Sequence, residues 1–177
     1  MLETIKLHGV DLQYTVEGEG RNVILLHGWG CNHTTMQPIE AALVPGFKVY
    51  NIDFPGFGGS SVPPTVWGVE EYTRLVETFV QTQNITDPIL IGHSFGGRVS
   101  ILYASRNAAR KVILVDAAGV KPKRPLKYYL KVYSFKLSKR LLPYILGKER
   151  AARRIEEKRR KAGSTDYNNL TGTMRDI

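Results

Sequence analysis

Ser94 stands at the centre of Gly92-His93-Ser94-Phe95-Gly96-Gly97, a G-x-S-x-G arrangement extended by one glycine. A serine is a weak nucleophile until its hydroxyl is held clear of the backbone and a base takes its proton. The two flanking glycines serve the first requirement, because a strand turning straight into a helix crowds the residues around the apex. Three further groups of residues could contribute to the same chemistry. His27-Gly28-Trp29-Gly30 is a glycine-rich loop that follows an apolar run. Asp53-Phe54-Pro55-Gly56-Phe57-Gly58-Gly59-Ser60 is a run of turn formers opened by a carboxylate. Val115-Asp116-Ala117-Ala118-Gly119 places another carboxylate just after an apolar run.

The histidines are His8, His27, His33 and His93. His27 lies in the glycine-rich loop, and His93, directly before Ser94, reads as pointing away from a substrate. His33 lies close in sequence to that loop and is a substitute base. Asp116 reads first as a loop-organising residue, with a substitute acid as the alternative. Asp53 reads as a turn residue.

These groups need elements to hold them at one edge. Ile89-Leu90-Ile91 is a short apolar run between Pro88 and Gly92, which predicts a strand ending at the serine. Beyond Ser94, Val99, Leu102 and Tyr103 recur at helical spacing. Val23-Ile24-Leu25-Leu26 predicts a strand buried on both faces that ends in the His27 loop. Phe47, Val49 and Ile52 mark the strand that ends at Asp53, and Val112–Asp116 reads as another buried strand. Residues 3–8 and 11–17 alternate apolar and polar, with Ile5, Leu7, Leu12, Tyr14 and Val16 inward, which predicts an antiparallel hairpin. Helices are expected at about 34–43 and 69–83, the second with Val69, Tyr72, Val76, Phe79 and Val80 on one face. Strands alternating with helices after a hairpin make an α/β fold with a mostly parallel sheet and flanking helices.

The 177 residues carry a formal net charge of +9. Residues 121–161 hold 16 Lys/Arg against 3 Asp/Glu, whereas residues 1–120 hold 8 against 11. The basicity therefore belongs to one segment. Leu130, Val132, Tyr133, Leu137, Leu141, Leu142 and Ile145 supply apolar surface beside those charges. Three roles suit such a segment: a solvated lid whose apolar stripe packs over the active site, an element that meets an anionic membrane surface or substrate, and a nucleic-acid element. No nucleic-acid motif is present, so nucleic acid is not expected as a partner. Residues 148–161 are helical by propensity, and Ser164-Thr165-Asp166 could cap a further helix. No run approaches about 18 apolar residues, so no transmembrane segment is expected. The opening residues lack the pattern of a signal peptide, and Cys31 is the single cysteine; together these point to a reducing cytoplasm. No P-loop, dinucleotide fingerprint or metal-ligand spacing is present, so no cofactor and no metal are expected.

The four glycine-rich and acidic groups, taken in order and spacing, resemble the α/β-hydrolase superfamily in its serine-nucleophile esterase, carbon–carbon hydrolase and perhydrolase-like branch. The resemblance covers residues 1–120 as the N-terminal part of the core and 121–177 as a partial helical cap. It implies Ser94 as nucleophile, with the backbone N–H groups of Trp29 and Phe95 as the oxyanion hole. It places Gly28, Trp29 and Phe95 on the substrate pocket and makes His27 a structural residue of the loop that carries Gly28 and Trp29. It implies an acyl-enzyme formed from a small ester, thioester or activated carbon–carbon substrate. The family's catalytic acid and histidine follow its seventh and eighth strands, and both are expected to be absent here, as in a truncated or split form. Impaired activity follows from that. The alternative is a non-catalytic form that binds a ligand, partner or anionic surface. With the last two strands absent, the strand near residues 112–116 would be an exposed apolar edge open to self-association.

Overall fold

The computed structural model describes residues 1–119, 125–147, 150 and 153–155. It divides near residue 120 into two compact units, taken here in turn.

The first unit is built on a six-stranded sheet. β1 (Leu2–Leu7) and β2 (Val10–Glu17) form an antiparallel hairpin with Ile5 opposite Leu12 and Leu7 opposite Val10. β3 (Arg21–Leu26), β4 (Phe47–Ile52), β5 (Ile89–His93) and β6 (Lys111–Val115) are parallel, and the order across the sheet is β1-β2-β4-β3-β5-β6. The hairpin joins through an antiparallel pairing of β2 with β4.

Successive side chains of a strand face opposite ways. In β3, Val23 and Leu25 face a core that includes Met36 of α1 (His33–Leu43). Ile24 and Leu26 face the larger core, with Tyr72 and Phe79 of α2 (Val69–Thr82) and Val99 of α3 (Phe95–Ala104). Helices on both faces explain why β3 is a continuous apolar run. In α2, Tyr72, Leu75, Val76 and Phe79 are buried along one stripe, and Glu70 and Glu71 occupy its first turn, where the helix dipole favours negative charge. Asn32 caps α1 by accepting the Thr34 N–H.

β6 corrects the reading of a strand buried on both faces and agrees with the exposed edge expected when the family's last two strands are absent. Among the described residues it pairs on one side only, with β5, and is the sheet's edge. Ile113, Leu114 and Val115 are 39%, 38% and 38% exposed. The run looks like β5 in composition, but a strand without an outer neighbour leaves part of each residue in solvent.

The second unit contributes α4 (Leu126–Leu146), entered from Pro125 and ended by Gly147 at φ 75°. A positive φ at this position is where glycine closes helices. Leu130, Tyr133 and Leu137, expected to pack, are exposed, and Val132 is half-buried. The side chains of Leu141, Leu142 and Ile145 lie outside the described residues. Arg150 and Arg153–Ile155 are helical; the rest of the charge-dense stretch and the helix expected after Ser164 also lie outside. Among the described residues, no helix is long and apolar enough to cross a membrane.

Candidate active site

The site lies at the C-terminal edge of β3, β4, β5 and β6. β5 runs to His93, α3 starts at Phe95, and Ser94 alone makes the turn at φ 48°, ψ −109°. Such a conformation costs a non-glycine residue roughly 1–3 kcal/mol and persists only when its surroundings enforce it. The enforcement is visible. The Ser94 N–H donates to the Val115 carbonyl at 3.2 Å, and the Ser94 carbonyl accepts from Gly97 N at 3.1 Å and Ala118 N at 2.9 Å. The Gly96 N–H donates to the His27 carbonyl at 3.1 Å. A Cβ on Gly96 would sit 2.0 Å from the Leu26 carbonyl oxygen. Only glycine lets α3 approach β3 this closely.

The loop after β3 abuts the turn. A Cβ on Gly28 would lie 3.3 Å from Ser94 Cβ and 2.8 Å from His93 Nδ1. Among the described residues, neither the Trp29 N–H nor the Phe95 N–H donates to a protein acceptor. The Phe95 N–H belongs to the first turn of α3, where amides are unpaired and carry the positive end of the helix dipole. The rings of Trp29 and Phe95, expected to face a substrate, are 6% and 8% exposed. They pack edge to face, at 69° with centroids 5.0 Å apart, in an aromatic layer with Phe54, Phe57 and Tyr72. Trp67 extends this layer against Tyr72. Burial raises the Tyr72 hydroxyl above its ordinary pKa, and that hydroxyl donates to the Pro55 carbonyl at 2.9 Å.

His27 is fully buried beneath the loop. The Phe54 N–H donates to its Nε2 at 2.9 Å, so the proton sits on Nδ1 and is donated to the Gly28 carbonyl at 2.7 Å. Burial lowers its pKa from 6.5 to about 4, which keeps the ring neutral. His27 therefore ties the glycine loop to the start of the Asp53 loop.

The pairing of His33 with Asp53 was not legible in the sequence. His33 Nδ1 lies 2.9 Å from both carboxylate oxygens of Asp53, and its backbone N–H donates to Oδ1 at 2.6 Å. The Gly59 N–H reaches Oδ2 at 2.9 Å. The Asp53 side chain is fully buried and that of His33 is 18% exposed. An ionised carboxylate only accepts, so the neutral form of His33 carries its proton on Nδ1 and presents Nε2 as an acceptor. The turn role expected of Asp53 and the base role considered for His33 thus fall on one hydrogen-bonded pair. α1 is fixed beneath it by buried Glu40, which accepts from Thr15 Oγ1 and, at 2.7 Å, from Asn51 Nδ2. Ser60 Oγ donates to the Asp53 carbonyl at 2.6 Å and accepts the Gln13 N–H at 2.8 Å, stitching the loop to β2.

Asp116 is exposed, at φ 46°, between the two residues that clamp Ser94. Among the described residues its carboxylate meets no histidine. His93 Nδ1 is buried with no hydrogen-bond partner among the described residues. No described histidine hydrogen-bonds to Ser94 Oγ, and His8 lies elsewhere, 2.7 Å from Thr78 Oγ1. Among the described residues, no three His, Cys, Asp or Glu side chains converge as metal ligands.

Residues 23–168 match the sequence model of the alpha/beta hydrolase family. An uncharacterized protein of Mycobacterium tuberculosis is 31% identical over 116 residues, covering 64% of this chain and 34% of that protein. The pimeloyl-[acyl-carrier protein] methyl ester esterase of Vibrio vulnificus is 32% identical over 109 residues, covering 62% of this chain and 41% of the esterase. The esterase of Exiguobacterium antarcticum superposes with a TM-score of 0.64 at 23% identity, covering 82% of this chain and 59% of that one. The matches thus span less than half the length of those two sequence relatives.

Proposed function

Because the chain belongs to the alpha/beta hydrolase family, we propose that it is a serine hydrolase whose nucleophile is Ser94. The observation that carries this reading is the strained Ser94 turn, abutted by the Gly28 loop; the N–H groups of Trp29 and Phe95, which have no described protein acceptor, are the oxyanion donors in this reading. The reaction is acyl transfer. Ser94 Oγ adds to a carbonyl carbon, and the two N–H groups receive the charge that forms on oxygen, each worth on the order of 3 kcal/mol. The bond to the leaving group then breaks, and the serine proton passes to that group through a base. Water cleaves the acyl-enzyme and regenerates Ser94. The reaction needs no cofactor. A small ester is the substrate class favoured, since the Vibrio vulnificus relative is named as a methyl ester esterase; a thioester or activated carbon–carbon bond would enter the same step. In this reading residues 1–120 form the core and 121–177 a cap.

Among the described residues no base contacts Ser94 Oγ, so in this first reading the base is a group outside them, and turnover is slow without it. A second reading is favoured by the His33–Asp53 pair, an imidazole held by a buried carboxylate in the manner of two-thirds of a triad. In that reading His33 Nε2 takes the Ser94 proton within the chain. The non-catalytic alternative keeps the fold and loses the reactivity.

A fluorophosphonate probe read by intact mass separates the three. Labelling abolished by Ser94→Ala supports the nucleophile. If His33→Gln then slows labelling by about a hundredfold, a general-base contribution, the base is in the chain. If labelling is slow and indifferent to His33, the base lies elsewhere. No labelling at any probe concentration overturns the enzyme reading.

A further inference from the structure

α4 carries an apolar stripe in contact with water. Leu126, Leu130, Tyr133, Leu137 and Tyr144 are 75%, 63%, 65%, 57% and 88% exposed. Their spacing of four, three, four and seven residues keeps them on one side of the helix, within an arc of about 60° at 3.6 residues per turn. Stripes of this kind on a water-soluble surface mark contact sites.

The residues flanking the stripe are cationic on both sides. Arg140 and Lys136 follow Tyr133 around the helix, and Lys127 lies beyond Leu130; all three are exposed. Lys136 Nζ sits 5.8 Å from the centre of the Tyr133 ring. The helix sequence carries five Lys/Arg and no Asp/Glu. That charge decides between occupants. A second copy of α4 would bring cations against cations with no carboxylate to pair. A neutral apolar groove would leave the cations unmatched. An anionic lipid surface satisfies both features: the leucines enter the acyl boundary, the tyrosines sit at headgroup depth, and Lys and Arg extend to the phosphates.

We propose that α4 docks the protein on anionic bilayers, lying in the plane of the interface. It does not span, because five charges interrupt its 21 residues. The docking is independent of the chemistry at Ser94 and survives if that chemistry fails.

The test is flotation of the full chain with vesicles of phosphatidylcholine alone or with one-third phosphatidylglycerol, at low and high salt. The protein is expected to float with the anionic vesicles at low salt and to be released by high salt. Reversing Lys127, Lys136 and Arg140 to Glu together is expected to lower partitioning by about a hundredfold, at roughly tenfold or less per charge. Leu130→Ser with Leu137→Ser is expected to abolish any salt-resistant fraction. Both sets are exposed, so circular dichroism and the thermal midpoint should match the parent. Four results would overturn the proposal: equal flotation with neutral and anionic vesicles, no flotation with either, unchanged flotation of both variants, or tighter binding to a short duplex RNA than to anionic vesicles. A dimer in light scattering that the Leu130/Leu137 variant dissolves would overturn it in favour of a second copy.

Discussion

His27 makes the stability of the core depend on pH in a way that can be worked out in advance. The folded imidazole ionises at about 4 because burial disfavours its cation, against 6.5 for an ordinary histidine. Between those values the unfolded chain holds a proton that the folded chain does not. The stability contributed is complete above about pH 6.5 and is lost as pH falls towards 4. Linkage gives a loss of about 2 kcal/mol between pH 7 and pH 5, and about 3 kcal/mol by pH 4. His27→Gln retains a group that can accept from Phe54 and donate to Gly28, but it does not titrate. The variant should be less stable near neutrality by about 1–3 kcal/mol, and the gap should close on acidification. Urea unfolding at pH 7, 6 and 5, followed by tryptophan fluorescence and circular dichroism, measures both slopes. Other histidines and the carboxylates contribute equally to the two proteins and cancel in the difference. If parent and variant lose stability in parallel, His27 is not protected from protonation and the buried neutral ring is refuted.

Three other outcomes follow from the geometry. Ser94→Gly should raise stability by about 1 kcal/mol in urea unfolding, since glycine accepts φ 48°, ψ −109° without strain; a lower midpoint would mean that the turn is relaxed. Asp53→Ala should cost about 2 kcal/mol, because the part-buried hydrogen bonds from the His33 and Gly59 N–H groups lose a charged acceptor; a change below about 0.5 kcal/mol would show that water replaces it. Ile113→Lys should reduce self-association in sedimentation velocity while changing stability by no more than about 0.5 kcal/mol, because the residue is 39% exposed on the edge strand; concentration-dependent association equal to the parent's would remove β6 as the contact.

The parts of the fold legible in the sequence are those set by local pattern. The Val23–Leu26 run announced a strand covered on both sides, and the spacing of Tyr72, Val76 and Phe79 announced α2, because each segment's burial is imprinted on its own residues. The turn at Ser94 was legible for the same reason: Gly92 and Gly96 are needed within two residues of it. The exposure of β6 was not legible in its composition, since an apolar run does not say whether a neighbour exists on its far side. The His33–Asp53 pair joins residues 20 apart and exists because parallel pairing sets the end of β4 beside the end of β3. Nothing local marks it. Glu40 did carry a readable signal: it falls on the face of α1 shared by Met36 and Leu43, where a carboxylate must find partners, and Thr15 and Asn51 supply them.

The bonds from Val115 and Ala118 to Ser94 have a consequence for the order in which the site comes and goes. Among the described residues β6 is an edge strand, so it belongs among the segments that fray before the rest of the sheet opens. When it frays, the Ser94 amide loses its acceptor and the Ser94 carbonyl loses the Ala118 donor. Nothing then compels the serine into a left-handed turn. The readiness of the nucleophile would accordingly track a local opening rather than global unfolding, and the backbone amide protons of Ser94 and Ala118 would exchange with solvent sooner than those of Leu25 and Leu90 in the centre of the same sheet. Anything that seats firmly against the outer side of β6 would slow that exchange and hold the serine in its strained state.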